Sequence, residues 1–221
     1  MKTAIILFFG MLSVKSFSQT LSIVKNEYSN ANNDNTGWVL SIKADYDTGA
    51  SKYYWASCYF GELPNMTDSV KLFLIESLLS ETNDTSVCGK PVEALSYRYR
   101  GRHNRNPQST RYNLQIEGLI LINYIALSSD AVDYSPFPVI YDKKKKKEIT
   151  TTGKELDAVI KFYKKWFKRI KKNGFGQYNL PMISKKYEWY GSLFLSQKLY
   201  KGRPKWDKLY SCPVLIKQED D

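Results

Sequence analysis

Histidine is nearly missing: His103 is the only one in the chain. That excludes a histidine-built metal site, and the three cysteines are too dispersed for the clustered ligands of a zinc site. Catalysis of the Ser-His-Asp or Cys-His kind would need His103 as its base, yet it sits between Arg102 and Asn104, where neighbouring cations disfavour imidazolium. The sequence also lacks a Gly-x-Ser-x-Gly elbow, a phosphate-binding glycine loop, a dinucleotide fingerprint and a His-Glu-x-x-His pair. No cofactor is therefore expected. Nowhere are there the ~20 consecutive apolar residues of a membrane-spanning helix.

The most apolar run stands at the start, and it is short. Lys2 precedes the apolar residues 4–12, and Ser16 and Ser18 place small side chains where a signal peptidase reads them. Residues 1–18 thus predict a cleavable secretory signal, with the working chain beginning at Gln19 in a periplasmic or secreted setting. Residues 19–221 are of a length for one domain.

Positive charge dominates, with 33 Lys and Arg against 22 Asp and Glu. Removing residues 1–18 takes away only Lys2 and Lys15, so the exported chain stays strongly basic. That balance favours anionic partners: an acidic protein or a polyanion. A hydrophobic content of 43% and 17 tyrosines supply enough apolar surface for a packed core, which excludes intrinsic disorder.

In an oxidising compartment, Cys58, Cys88 and Cys212 allow one disulfide and one spare thiol, with three possible pairings. A Cys58–Cys88 bridge is expected because the two flank a single predicted helix. It would contribute about 3 kcal/mol through loop closure.

The patterning predicts an α+β fold: an N-terminal β-hairpin or small antiparallel sheet packed on a mostly helical body with a long buried central helix. Residues 21–28 read as a short strand. Trp38, Leu40, Ile42, Ala44 and Tyr46 alternate with polar neighbours as in a half-buried strand, and residues 52–60 return after the turn-forming residues 47–51. A first helix opens at the Thr67-Asp68 cap and ends near Ser80. Its apolar positions are Val70, Leu72, Phe73, Leu74, Leu78 and Leu79. The central helix is expected over 109–128 and a third over 153–173, with Thr152 and Glu155 as a capping box and Gly174 as its stop. On that last helix Leu156, Val159, Ile160, Tyr163, Phe167 and Ile170 form the buried face. Lys161, Lys164, Lys165, Lys168, Lys171 and Lys172 form the wet one. Residues 177–221 predict short strands and loops.

Two basic clusters stand out. Arg98, Arg100, Arg102, Arg105 and Arg111, with Tyr97, Tyr99 and His103 interleaved, suit an anion, since arginine forks bind phosphate, sulfate or carboxylate in two-pronged fashion. Arg98, Arg100, Arg102, His103, Arg105 and Arg111 are therefore the candidate ligand-binding residues. The second cluster, Lys143 to Lys147, reads first as a solvated loop, since five consecutive lysines repel one another and need no partner to be soluble. The general arrangement, including the 134–139 turn and the Trp189-Tyr190-Gly191 sequence, resembles small exported bacterial proteins and transfers no activity or site.

Three functions compete. The first is a non-enzymatic binding module for an acidic protein or polyanion. The second is an immunity-type inhibitor of a toxin or hydrolase in the periplasm. The third is a carboxylate-dependent hydrolase of glycan or cell-wall substrate, for which Glu117, Asp130 and Asp133 are unremarkable candidates. The export reading has a direct check: intact-mass measurement from an exporting host should give a chain starting at Gln19, and recovery of only the full-length chain in the cytoplasm would refute it.

Overall fold

The structure, a computed structural model, describes residues 19–30, 35–55, 63, 66–95, 106–175 and 180–192. These residues form an α+β fold with two three-stranded antiparallel sheets and intervening helices. Residues 1–18, and with them the expected signal segment, lie outside the described residues, as does Cys58. Among the described residues no helix is long and apolar enough to cross a membrane.

The first sheet runs β1 (Gln19–Asn30), β2 (Asn35–Tyr46), β3 (Ser51–Tyr54). The hairpin expected at the 47–51 turn is present, with Gly49 at φ +80° relieving the chain reversal. The strand expected at 21–28 is longer and pairs with β2 from Gln19↔Tyr46 to Asn30↔Asn35. Leu40, Ile42 and Ala44 are buried as the alternation requires, but Val39 and Ser41 are buried too, so the middle of β2 is covered on both faces. Ser41 tolerates this because Asn26 Nδ2 donates to its hydroxyl at 2.8 Å.

Helix α1 (Asp68–Ser80) ends where its sequence pattern ends, and the Thr67 hydroxyl accepts from the Val70 amide as its cap. Leu74, Ile75, Leu78 and Leu79 are buried. Phe73, one of the apolar positions of the sequence pattern, is 57% exposed, because at about 100° per residue it lies opposite the arc that those four share.

Helix α2 (Leu114–Leu127) is shorter than the 109–128 reading. Residues 109–113 are not helical, their backbone groups taken by neighbours on both sides. Val92 N donates to Thr110 O, Cys88 N to Tyr112 O, and Asn113 N to Thr150 O. The helix starts only where the Asn113 side chain accepts from the Ile116 amide. From Leu114 to Ile125 every residue is buried, Glu117 and Asn123 included.

A short helix α3 (Ala131–Tyr134) leads into the second sheet, whose central strand β4 (Ile140–Asp142) pairs with β5 (Lys147–Ile149) on one side and β6 (Tyr187–Trp189) on the other. Helix α4 (Lys154–Asn173) buries Leu156, Val159, Ile160, Tyr163, Phe167 and Ile170 as expected, together with Trp166. It stops at Gly174, which sits at φ +78°. The capping box does not form. Thr152 Oγ1 donates to Gln115 Oε1 and accepts from Asn113 Nδ2, while Glu155 pairs with Lys145, so the polar groups near the helix start are spent on tertiary contacts. A buried relay ties α4 to its neighbours: Trp189 Nε1 donates to the Tyr163 hydroxyl at 2.9 Å, which donates to Asn123 Oδ1 at 2.8 Å.

Residues 86–92 join the N-terminal sheet to α2. Trp38 N donates to Val87 O and Gly89 N to Trp38 O, while Leu114 N donates to Ser86 O. The approach is close enough that a Cβ on Gly37 would meet Gly89 N and Val87 O at 2.8 Å. Beneath this strap Lys90 is paired with the fully buried Glu117, whose other oxygen accepts from the Tyr112 hydroxyl at 2.9 Å. Burial, reinforced by the Glu117 charge, pushes the Cys88 thiol up to about 12 and holds the Tyr112 hydroxyl well above its usual range. Cys88 is a buried thiol at this point of the fold.

Removing one member of a buried ion pair strands the other. Glu117→Ala should therefore destabilise by about 3–5 kcal/mol, whereas Lys90→Met with Glu117→Leu should recover most of that loss. Urea unfolding near neutral pH measures both; an unaffected Glu117→Ala protein would mean that the pair does not hold the strap to α2.

Candidate functional site

The first four residues of the five-lysine run form the turn of the β4–β5 hairpin and the fifth opens β5, and one acid shapes the turn. Asp142, the last residue of β4, accepts from the Lys144 and Lys145 amides at 2.9 Å each through Oδ1, and Lys186 approaches its Oδ2 at 3.5 Å. Burial works to raise the Asp142 carboxyl, but the Lys145 amide, the Lys186 charge and the Lys144 amide outweigh it and leave it below the usual carboxylate range. Lys143 turns inward to Glu188 at 3.2 Å and to Ser184 O. Lys145 reaches Glu155 at the start of α4, at 2.5 Å. Lys146 lies at φ +53°, a region that favours glycine or asparagine.

Next to this hairpin is a groove of about 1040 Å³. Its floor is set by sheet register: Tyr141 stands opposite Glu148 on one side and Glu188 on the other, so all three side chains share one face. One wall is the hairpin with Lys146 and Lys147; the other is the stretch carrying Asn106, Gln108 and Ser109. Tyr190, following β6, closes the end. Its ring makes edge contacts with Phe137 at 5.9 Å and Tyr141 at 5.8 Å, which fix its orientation.

Both acids among the described residues of the groove are engaged. Glu148 accepts the Gln108 amide on Oε1 and the Ser109 amide on Oε2, each at 2.8 Å, so it fastens that stretch to the sheet. Glu188 is held by Lys143. The carboxylates weighed from the sequence do not line the groove: Glu117 is buried under the strap, and Asp130 and Asp133 lie beyond the end of α2. Among the described residues no group of three or more His, Cys, Asp and Glu is placed to hold a metal.

Of the arginine cluster, Arg98, Arg100, Arg102, His103 and Arg105 lie outside the described residues. Arg111 is exposed on the stretch that precedes α2. What the arginine pattern did not indicate is that Asn106, the next residue after Arg105, lines the groove. Tyr141, Glu148 and Glu188 had no sequence signal beyond strand alternation in very short strands.

A second basic surface is the outer side of α4. Lys161, Lys164, Lys165, Lys168, Lys171 and Lys172 are all exposed and fall within about 120° of the helix circumference. Lys171 pairs with Glu76 of α1 at 2.9 Å. Among the described residues, the other five have no acidic group within ion-pair distance.

Because the folded Asp142 carboxyl is depressed, its contribution is complete above the ordinary carboxylate pKa and fades as pH falls through the lower folded value. Thermal melts from pH 7 to pH 2 should show the loss of stability setting in below about pH 4. Asp142→Asn keeps the Oδ1 acceptor and removes the charge, so its melting temperature should fall less over the same range; an identical acid profile would show that Asp142 does not shape the turn as an anion.

Comparison with protein-family models, with curated proteins and with solved structures finds no match for this chain.

Proposed function

We propose that the protein is an exported binding module that acts without catalysis and engages an acidic protein or polyanion through its basic surface. The observation that carries this reading is the lysine face of α4. Five cations without an acidic partner among the described residues lie along one side of a helix, over about 16 Å from Lys161 to Lys172. Like charges at such spacing repel one another, and an opposing row of anions relieves the repulsion. A single DNA strand places a phosphate every ~3.4 Å, so about five fit along that length. Other regular polyanions, sulfated glycans among them, match it comparably.

The opposite face of α4 supports the same reading from the inside. Trp166, Tyr163 and Ile170 are buried, so the helix is held rigidly and presents its lysines without ordering cost to the backbone. The arginine sequence Arg98, Arg100, Arg102 and Arg105, with His103 and Arg111, belongs to the proposed anion-binding set on chemical grounds, and its contribution is separable by mutation. An acidic protein and a nucleic acid differ in charge spacing, and the salt dependence distinguishes how many anions are neutralised.

Binding of a fluorescent duplex oligonucleotide across a salt series tests this. Each neutralised phosphate contributes about −0.9 to the slope of log affinity against log salt. Replacing Lys164, Lys165 and Lys168 together by Gln should flatten the slope by about 2 to 3. Replacing Arg98, Arg100, Arg102 and Arg105 by Lys should weaken binding with the slope nearly kept, because lysine retains charge but cannot make the two-pronged contact. Equal retention of wild type and both variants on heparin and on the oligonucleotide would remove the proposal.

A further inference from the structure

We propose that the groove beside the β4–β5 hairpin is a separate site for a short acidic saccharide, its ring carried by Tyr141 and Tyr190 and its carboxylate or sulfate by Lys146 and Lys147. The inference rests on the groove itself and stands whether or not the α4 face binds polyanions.

Size and chemistry choose the ligand class. At about 1040 Å³ the groove lies at the upper end of small-molecule sites, room for an oligomer of a few rings rather than one. Tyr190 is locked by its two edge contacts, so an aromatic surface is preorganised there. Asn106, Gln108 and Ser109 supply amide and hydroxyl side chains, partners suited to a ring bearing many hydroxyls.

The charges are arranged to select an anion. Glu188 is neutralised by Lys143, and both oxygens of Glu148 are taken by amides. Lys146 and Lys147 have no acidic group within ion-pair distance among the described residues, so the cations of the groove are the ones left open to a ligand. The same Glu148 argues against a nucleotide. The adjacent Gln108 and Ser109 amides are the pair on which a phosphate would sit, and Glu148 already occupies them.

Lys146 supplies an independent pointer. Its φ of +53° is a conformation a glycine adopts without strain, yet the position holds a long cationic side chain at the groove wall. A long cationic side chain that stands against its backbone preference where it lines a cavity points to a role for that side chain.

The test uses the whole exported chain and trigalacturonate as probe, with maltotriose as its uncharged counterpart, in NMR titrations at 0.15 M salt. Trigalacturonate should bind with maltotriose at least about tenfold weaker, the effect of one lost charge-assisted contact. Lys146→Gly should lower affinity for trigalacturonate by about tenfold while its melting temperature stays level or rises, since glycine relaxes the turn. Tyr190→Ala should weaken both sugars, and Tyr190→Phe should retain them. The triple Gln variant of Lys164, Lys165 and Lys168 should bind trigalacturonate as wild type does, which separates this site from the α4 face. No binding of trigalacturonate at 10 mM probe, roughly the weakest useful affinity, overturns the proposal, as does binding unchanged in Lys146→Gly and Tyr190→Ala. A nucleoside diphosphate that binds more tightly than trigalacturonate and is lost in the same two variants would overturn the assignment to a saccharide.

Discussion

The non-helical stretch 106–113 is bonded on two sides, and the architecture hangs on that double attachment. Toward the N-terminal sheet it meets the strap 86–92, through Cys88 N to Tyr112 O and Val92 N to Thr110 O; toward the second sheet it meets Thr150 O and the Glu148 carboxylate. Two sheets that share no strand are thereby made neighbours. The buried pair Lys90 and Glu117 sits under this junction, where the low dielectric strengthens each polar contact and makes each unpaired one costly. The groove inherits its width from the same junction, because one wall belongs to the stretch and the other to the hairpin that Glu148 fastens to it.

Acids and lysines are put to different uses. Acids are spent on architecture: Asp142 shapes a turn, Glu148 a junction, Glu155 a hairpin-to-helix contact and Asp84 a tie from β1 through Lys25 at 2.6 Å. Lysines are left over, above all on α4. What the solvent meets on α4 is nearly all cationic.

Much of the fold was legible from periodicity. The limits of α1 and the C-terminal end of α4 follow from local rules, a threonine cap in one case and a positive-φ glycine in the other. The failures share a cause. Residues 109–113 open with the Ser-Thr of a helix start and yet are not helical, because lateral hydrogen bonds from 86–92 and Thr150 outcompete the helix; Thr152 and Glu155 have cap spacing and yet bind Gln115 and Lys145. Partners ten or more residues away leave no trace in a local window. The site was less legible still. Tyr141, Glu148 and Glu188 meet only because three-residue strands align, and strands so short carry hardly one full period of alternation.

Asp142 has a bearing on durability as well as shape. Five consecutive lysines offer a trypsin-like protease a cleavage site at every peptide bond of the run, and exposed loop tips are where nicking concentrates. Cutting requires the backbone to leave its turn and lie extended in the enzyme. The two amides held by Asp142, with Lys143 anchored to Glu188 and Lys145 to Glu155, oppose that departure, so the rate of nicking is set by how often the hairpin opens rather than by how many lysines it shows. The acid that shapes the turn is also its guard against digestion.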